Sequence, residues 1–234
     1  MLRIPAIQFR VTMIKKILFI SAIFFLFAAA NSQTKDFGIW YGISLNHELS
    51  KKIDVSVAAS LRTYDNASLV DLFYLEPGTS YKFNKYFSVG AAYRLIYKRE
   101  AGAGFFDRHR WLADAKFSYP VKKFKFSARF RLQEQYKTYA DNKPEVLNEY
   151  YGRIKAQVYY NWPSFPVNPY VSMEYFYPLN TGTVKFADKK RLVFGAKYSI
   201  SKKQTLEAEY MYQRDYLPRL ADFYAISLNY QIEI

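Results

Sequence analysis

Two histidines and four glutamates are the residues whose chemistry could serve catalysis. His109 lies in Arg108-His109-Arg110-Trp111, and the other histidine is His47. A hydrolase would need a nucleophile, a base and a group that orients the base, all within hydrogen-bond reach. Neither histidine has a Ser-x-x-x-His or Asp-His pattern beside it, so the sequence predicts no catalytic histidine.

The four glutamates are Glu76, Glu174, Glu207 and Glu209, and each falls at a position that alternates with apolar residues. They could form an acidic active site, or they could neutralise arginines on the same face of a sheet. Because an unpaired charge in a dry interior is costly, we favour pairing with arginine and predict no catalytic residue. Basic residues outnumber acidic ones on this face, so pairing is incomplete, which suggests a hydrated interior or an anion inside.

The composition removes several classes of protein. The chain of 234 residues has no cysteine and only two histidines, which excludes disulfide scaffolds, cysteine-based zinc sites, thiol catalysis and histidine-rich metal sites. It contains 23 Tyr and 20 Phe, whereas disordered chains are poor in aromatic residues. The sequence therefore predicts one folded domain without metal or cofactor, and the composition alone names no reaction.

The N-terminus has the three parts of a secretory signal. Lys15 and Lys16 precede an apolar run over 17–30, and small residues follow at Ala28-Ala29-Ala30-Asn31-Ser32. The run has 14 residues, short of the ~20 that a transmembrane helix needs. A membrane anchor or a buried helix is the alternative interpretation.

We predict a cleaved signal peptide over 1–32, with cleavage after Ala30 or Ser32, and an exported domain over 33–234. Met13 resembles a natural start, since Ile14-Lys15-Lys16 follow it. Removing the signal removes four basic residues and no acidic one, which lowers the net charge from +14 to +10. A basic chain often binds nucleic acid, but an exported protein rarely meets it, so no nucleic-acid partner is predicted.

Hydrophobic residues of the exported domain recur at every second position, which is the period of a β-strand with two unlike faces. In Ile53–Arg62 the odd positions are apolar and the even ones polar or small. Each such segment has 9–14 residues, longer than the ~5–6 typical of soluble sheets and suited to a tilted strand that crosses a bilayer. The eleven segments are 36–47, 53–64, 71–83, 86–98, 108–119, 124–136, 149–162, 169–177, 189–200, 204–213 and 222–234.

Connections between the segments alternate in length, as they do in bacterial outer-membrane barrels. The short ones are Ser50-Lys51-Lys52, Asn84-Lys85, Pro120-Val121-Lys122-Lys123, Pro163-Ser164-Phe165-Pro166 and Ser201-Lys202-Lys203. The longer ones are Asp65–Leu69, Arg99–Asp107, Lys137–Asn148, Pro178–Asp188 and Arg214–Ala221. We interpret the lysines of the short turns as solvated residues, with contact to anionic headgroups or envelope polymers as the alternative.

The two faces of the segments differ in charge. The apolar face carries no charged residue along the middle of any segment, and a Lys or Arg there would cost ~2–4 kcal/mol at a bilayer midplane. Lys116 and Lys155 fall on the opposite, polar face. That face is predicted to line the lumen with Arg62, Glu76, Arg94, Arg110, Asp114, Arg129, Arg131, Arg153, Glu174, Arg191, Glu207 and Glu209.

Aromatic residues gather where the segments end. Amphipathic rings favour the headgroup level of a membrane, where they form the two girdles of a membrane barrel. An exported soluble β-barrel would show the same alternation, and the aromatic load favours the membrane barrel over it. The residues are Phe83, Tyr86, Tyr97, Trp111, Tyr119, Tyr136, Tyr150, Trp162, Tyr177, Tyr212 and Tyr224.

Eleven strands cannot close with antiparallel pairs alone, which need an even number. Either the first segment joins the last in parallel, or the assignment has merged two strands or counted one that does not exist. The predicted number of strands is therefore ten to twelve. Closure itself follows from backbone chemistry, because an open edge in lipid leaves N–H and C=O groups unpaired. We predict an all-β, up-and-down antiparallel transmembrane β-barrel.

Several short motifs carry a resemblance to a known family. They are Asp36-Phe37-Gly38-Ile39-Trp40, Leu61-Arg62-Thr63, Tyr74-Leu75-Glu76-Pro77-Gly78, Tyr81-Lys82-Phe83-Asn84-Lys85, Tyr93-Arg94 and Arg108-His109-Arg110. Over most of 36–234 the chain resembles outer-membrane proteins of Bacteroidota-type bacteria grouped as domain of unknown function 2490. The resemblance implies a β-barrel in the outer membrane and no established activity. The last segment is similar to the signal that barrel-insertion machinery recognises, although that signal usually ends in Phe and this chain ends in Ile234.

The expected function is that of a non-enzymatic outer-membrane barrel, structural or small and porin-like, with a polar, net-basic lumen. Its partners would be outer-membrane lipid and the insertion machinery. Two alternatives stay open. One is an outer-membrane enzyme that acts on lipid or peptide at the barrel mouth, and the other is an exported soluble β-barrel that binds an apolar ligand.

Overall fold

The computed structural model describes residues 35–100, 102–138, 148–163, 165–180, 186–217 and 220–234. The signal peptide expected over 1–32 and the alternative start at Met13 lie outside these residues. No helix in the described ranges is long and apolar enough to cross a membrane.

Eleven strands form in the described residues, and they match the eleven segments expected from sequence to within four residues at each end. The period-two alternation predicts them well because a strand with one apolar and one polar face needs that spacing. The strands are β1 Lys35–Ser50, β2 Ile53–Tyr64, β3 Leu69–Lys82, β4 Phe87–Glu100, β5 Gly104–Val121, β6 Phe124–Lys137, β7 Asn148–Tyr160, β8 Val167–Pro178, β9 Lys189–Ser199, β10 Gln204–Asp215 and β11 Ala221–Glu233.

The strands close into a barrel in which each strand is antiparallel to its neighbours in sequence, while β1 and β11 are parallel. This parallel seam runs from Lys35 opposite Asp222 to Asn46 opposite Glu233. Of the two explanations for an odd count, the parallel joining of first and last strands is therefore confirmed. Strands that alternate in direction leave the first and the eleventh running the same way, and the seam removes both sheet edges.

The barrel has two ends, which we name by their connections. The turn end carries 51–52, 83–86, 122–123, 161–166 and 200–203, and the C-terminal residue Ile234 lies there, where its amide donates to the Asn46 carbonyl at 2.9 Å. The start of β1 lies at the other end, the loop end. The strand ends that are joined by 65–68, 101–103, 138–147, 179–188 and 216–220 meet at the loop end.

The expected contrast between short and long connections is wrong at two places. The connection expected over Asp65–Leu69 is a turn of four residues, 65–68, and the one expected over Arg99–Asp107 has three residues, 101–103. The second is shorter because the β4–β5 ladder continues to the pair Glu100 and Gly104, beyond the apolar alternation. Gly102 and Gly104 have φ of 75° and 100°, which glycine adopts without steric cost.

Exposure alternates along the strands with the same period as polarity. Outward positions such as Phe126 and Phe130 are 47% and 48% exposed, whereas the inward residues Arg94 and Glu174 are 8% and 4% exposed. A buried cluster of Tyr170, Val193, Met211 and Ala225 lies on the inner wall formed by β8 to β11. The apolar surface of this chain is thus mostly outside, and the polar surface is mostly inside.

The parallel seam can be tested by crosslinking, because the chain has no native cysteine. Ser44 and Gln231 are register partners in β1 and β11, and neighbouring strands lie ~4.8 Å apart, within the range that a disulfide spans. The double variant Ser44→Cys/Gln231→Cys should therefore form a crosslink on oxidation, detected as a reducible shift on a denaturing gel. The matched pair Ser44→Cys/Ser227→Cys is displaced by four residues, ~13 Å along the strand, and should stay uncrosslinked. Equal crosslinking of both pairs would contradict the register.

Candidate functional site

The barrel interior is the candidate site, and it contains two sets of arginines. Those of the first set bond a carboxylate. Arg131 donates from Nε and Nη2 to the two carboxylate oxygens of Asp114 at 2.6 and 2.7 Å. Glu174 accepts from Arg129 at 2.5 Å and from Arg153 at 2.9 Å. Such charge-assisted pairs are the strong hydrogen bonds of protein interiors.

A further pair joins Arg94 on β4 to Glu76 on β3. Lys197 lies 3.3 Å from Glu207 on the neighbouring strand. The structure thus brings together most of the charged residues that the sequence singled out, and most of the pairs join adjacent strands, whereas Arg129 on β6 reaches across β7 to Glu174 on β8.

Three inward arginines form the second set, which has no carboxylate within 4.0 Å among the described residues: Arg62, Arg110 and Arg191. Arg110 donates to the Gln135 amide oxygen at 3.0 Å and Arg191 to that of Gln213 at 2.6 Å. An amide oxygen orients a guanidinium but does not cancel its charge.

Arg62 of this second set lies over an aromatic ring. Its guanidinium carbon is 3.9 Å from the centroid of the Trp40 ring. Its Nε atom is buried and has no hydrogen-bond partner in the described part of the chain.

Aromatic rings separate these arginines in space. Arg62 lies between Trp40 and Tyr74, at 3.9 and 5.3 Å from the two ring centroids. The guanidinium carbon of Arg94 also lies near Tyr74, 3.9 Å from the centroid of that ring. Arg191 lies 5.3 Å from the centroid of Trp40. Guanidinium groups stack on such rings by dispersion and cation–π attraction.

The ring of Phe176 on β8 plays the same part. It lies 4.2 Å from the guanidinium carbon of Arg153 and 5.2 Å from that of Arg191. Arg110 extends this series as the cross-strand neighbour of Arg94. We name this set the arginine–aromatic belt, and its members are Arg62, Arg94, Arg110, Arg153, Arg191, Trp40, Tyr74 and Phe176.

The sequence identified all five arginines of the belt but not its aromatic members. Trp40, Tyr74 and Phe176 share the strand parity of the neighbouring inward charges. That parity is the signal by which they could have been found. Gln135 and Gln213, which orient Arg110 and Arg191, also share the parity of the inward charges on their strands, but parity does not show which arginine each one contacts.

Lysines extend the positive interior toward the turn end. Lys116, Arg129 and Lys155 are lateral neighbours on β5, β6 and β7. Neither lysine has an ion-pair partner within 4.0 Å in the described ranges. Fixed positive charge therefore lies both at the arginine–aromatic belt and between the belt and the turn end.

A cluster of opposite sign lies on the wall formed by β8 to β10. The Tyr170 hydroxyl is 2.5 Å from a carboxylate oxygen of Glu207 and 2.5 Å from one of Glu209. Glu207 also accepts from the side-chain amide of Gln231 at 3.1 Å. The ring of Tyr170 covers Gly195, which leaves room for it by lacking a side chain. These glutamates bond tyrosine and glutamine, an arrangement that holds the wall together.

The two histidines lie apart from this interior. His109 is on the outward side, with Nδ1 2.5 Å from the Tyr93 hydroxyl and its ring near that of Tyr136. His47 is exposed and donates from Nδ1 to the Ile234 carbonyl at 2.9 Å. No group of three or more His, Asp or Glu side chains in the described ranges is arranged to hold a metal ion.

A closed barrel with an apolar exterior and a charged interior defines the class of transmembrane β-barrels. The chain belongs to the family described as protein of unknown function (DUF2490), whose model matches residues 37–222. The family resemblance found in the sequence is thereby confirmed. No curated protein matches the chain.

The solved structures that are similar to the chain include the following three. The crystal structure of the beta domain of the Bordetella autotransporter BrkA has 11% identity and a TM-score of 0.50, covering 74% of this chain and 78% of that one. This likeness concerns the fold. A structure from work on in-meso crystallization of membrane proteins has 13% identity and a TM-score of 0.39, covering 75% and 76%. The anion-selective porin from Comamonas acidovorans has 9% identity and a TM-score of 0.36, covering 70% and 48%. The last two likenesses add nothing to the fold assignment.

The packing of Tyr170 on Gly195 gives a test of the interior. A Cβ atom at Gly195 would lie 2.3 Å from Cζ of Tyr170, so Gly195→Ala should destabilise the barrel by ~1–3 kcal/mol, as overpacking does. Gly152→Ala is the control, because its Cβ would lie 3.6 Å from the Leu179 side chain, an ordinary contact. The measurement is the urea concentration at which the folded, detergent-solubilised barrel is half lost. A midpoint for Gly195→Ala equal to that of the control would show that Tyr170 does not occupy this position.

Proposed function

We propose that this protein is a non-enzymatic outer-membrane β-barrel whose net-basic interior admits small anions. The observation that carries the proposal is the excess of positive charge inside, where Arg62, Arg110, Arg191, Lys116 and Lys155 have no carboxylate within 4.0 Å among the described residues. Fixed charge that lines a wet passage attracts ions of opposite sign and repels ions of the same sign.

The exterior supports a position in a membrane. Outward residues along the middle of the strands are apolar and exposed, as Val57, Leu95, Phe130 and Phe194 are. Water would disfavour so large an apolar surface, whereas lipid accommodates it. Strands of 11 to 18 residues meet or exceed the ~9–11 that a tilted strand needs to cross the hydrocarbon.

Aromatic residues form a band near each end of the barrel. Near the turn end, rings pack in pairs such as Tyr86 with Tyr119 at 5.1 Å and Tyr160 with Trp162 at 5.8 Å. Toward the loop end, Tyr212 near the end of β10 packs on Tyr224 near the start of β11 at 5.3 Å. Two such girdles at the headgroup levels are typical of outer-membrane barrels.

The proposed orientation follows the usual rule that short turns face the periplasm. The turn end, with Ile234 and the exposed lysines of its connections, would then lie inside the envelope. β11 would present its apolar face to the barrel-insertion machinery, and the outer surface would contact lipid. Lysines at the turn end would meet the anionic headgroups of that leaflet.

The passage is narrow, because charged side chains occupy the interior. Arg94, Arg153 and Glu174 are each less than a tenth exposed although they face inward. A wide aqueous channel would leave such residues in contact with water. We therefore expect a small conductance rather than that of a general porin.

Three substitutions on β6 test the membrane-facing surface. Phe130 is the seventh of 14 residues in this strand and Phe126 the third, and their exposure is nearly equal. Phe130→Lys should impair insertion more than Phe126→Lys, because the cost of an outward Lys is ~2–4 kcal/mol at the midplane and ~0–1 kcal/mol near the interface. Ser127→Lys, on the inward face, should impair insertion least of the three. The measurement is the amount of protein in the outer-membrane fraction that migrates differently before and after boiling. Equal amounts for all three variants, or a stable detergent-free monomer of the native chain, would contradict the membrane proposal.

Conductance in planar bilayers tests the anion passage. Current should be small and anion-selective, and the double variant Lys116→Gln/Lys155→Gln should be less selective, most clearly at low ionic strength, where screening is weak. These lysines suit the test because removing them leaves no carboxylate without its partner, whereas Arg131 is the partner of Asp114. Lys123→Gln, at an exposed turn, is the control. Cation selectivity, or no current through folded protein, would contradict the proposal.

A further inference from the structure

The arginine–aromatic belt is more than a lining of positive charge, and its geometry resembles a binding site. Members of the belt come from β1, β2, β3, β4, β5, β7, β8 and β9, so it passes around most of the interior. Arg62 and Arg191 lie 3.9 and 5.3 Å from the same Trp40 centroid. Their guanidinium carbons are therefore at most 9.2 Å apart, close enough for one small ligand to contact both.

We propose that the belt binds a small, multiply charged oxyanion of the phosphate class. The site deepens the proposed function, because the anions that such an interior would admit include those that the belt would hold. The proposed site depends on the proposed function only for the route by which the ligand enters.

The charge balance of the belt supports an anionic ligand. Glu76 and Glu174 accept from Arg94 and Arg153, which leaves three guanidinium groups without a carboxylate within 4.0 Å in the described residues. Arg62 and Arg191, whose guanidinium carbons are at most 9.2 Å apart, repel one another. A multiply charged anion would offset several of them at once, which a single chloride would not.

Stacking leaves the hydrogen-bonding edges of the arginines available. A guanidinium group donates in its own plane, so a ring against its face fixes its orientation without using its N–H groups. Arg62 is stacked in this way on Trp40 at 3.9 Å. Its Nε is buried and has no partner in the part of the chain that the structure describes. An oxygen atom of a ligand would satisfy this donor.

The remaining donors are oriented by neutral groups. Gln213 accepts from Nη2 of Arg191 at 2.6 Å, and Gln135 accepts from Nε of Arg110 at 3.0 Å. Each guanidinium group keeps further N–H donors beyond these bonds, since arginine has five. A fork of parallel N–H groups matches two oxygens of a phosphate, which is why arginine recognises that group better than lysine does.

The site lies near the loop end of the barrel. Arg62 is two residues from the end of β2, and Arg191 is two residues from the start of β9. Both of these strand ends are at the loop end. A ligand would reach the belt from that end, which the proposed orientation places outside the cell.

Calorimetric titration of the folded, detergent-solubilised full chain with inorganic phosphate tests the site. We expect saturable binding of one phosphate per barrel, competition by sulfate, and no saturation by chloride. Arg62→Gln and Arg191→Gln should each weaken binding by about 10- to 100-fold, the usual effect of losing hydrogen bonds to a charged group. Neither change removes the partner of a carboxylate, and the gel shift before and after boiling verifies that each variant is folded. Lys202→Gln, at an exposed turn, should bind phosphate as the native chain does.

Arg191→Lys separates the fork from the charge, since lysine keeps the charge but not the paired donors. It should weaken binding nearly as much as Arg191→Gln. Native affinity in Arg191→Lys, equal affinity in Arg62→Gln and Lys202→Gln, or saturable binding of chloride would each overturn the site. A barrel that conducts anions but binds no phosphate would reject this site and leave the proposed passage intact. A barrel that binds phosphate but carries no current would keep the site and reject the passage.

Discussion

Backbone hydrogen bonding is the constraint on which this structure depends. Hydrocarbon offers no partner for an N–H or C=O group, so a strand that meets lipid must be paired on both sides. Eleven strands of alternating direction satisfy this requirement only if β1 and β11 pair in parallel, and they do so over twelve register pairs, from Lys35 to Asn46 on β1. The odd count has a second consequence, since it sends the start of β1 to the loop end and Ile234 to the turn end.

Closure then decides where polarity can go. Alternate side chains of each strand point to opposite faces, and an apolar exterior leaves the interior as the place for nearly every charge along the strands. Charges inside a small barrel are costly unless they are paired or stacked. This chain uses both means, with Arg131 bonded to Asp114 at 2.6 Å and Arg62 stacked on Trp40 at 3.9 Å. The aromatic residues thus serve two purposes, outside at the ends of the barrel and inside between the guanidinium groups.

The interior is uneven in charge, and the proposed function depends on this unevenness. A fully paired interior would be a support for the strands and nothing more. Here the arginines of β2, β5 and β9 exceed the carboxylates near them, whereas Glu207 and Glu209 bond Tyr170 on another wall at 2.5 Å. The carboxylates of that wall are held by their own partners, so they leave the positive field of the belt largely intact.

The sequence by itself determined the strands, their faces and the inward charges, because a period of two is a local property that each segment carries. Arg62, Glu76 and Arg94 could be assigned to one face without any knowledge of their neighbours. Tertiary structure alone decided the parallel seam, the partner of each charge and the meeting of Trp40 with Arg191. Those features depend on strand register and on closure, which bring together residues that are up to about 190 positions apart in the sequence. No local sequence pattern specifies contacts between residues so far apart. The short β4–β5 turn shows the same limit, since backbone pairing continued beyond the apolar alternation that had marked the strand ends.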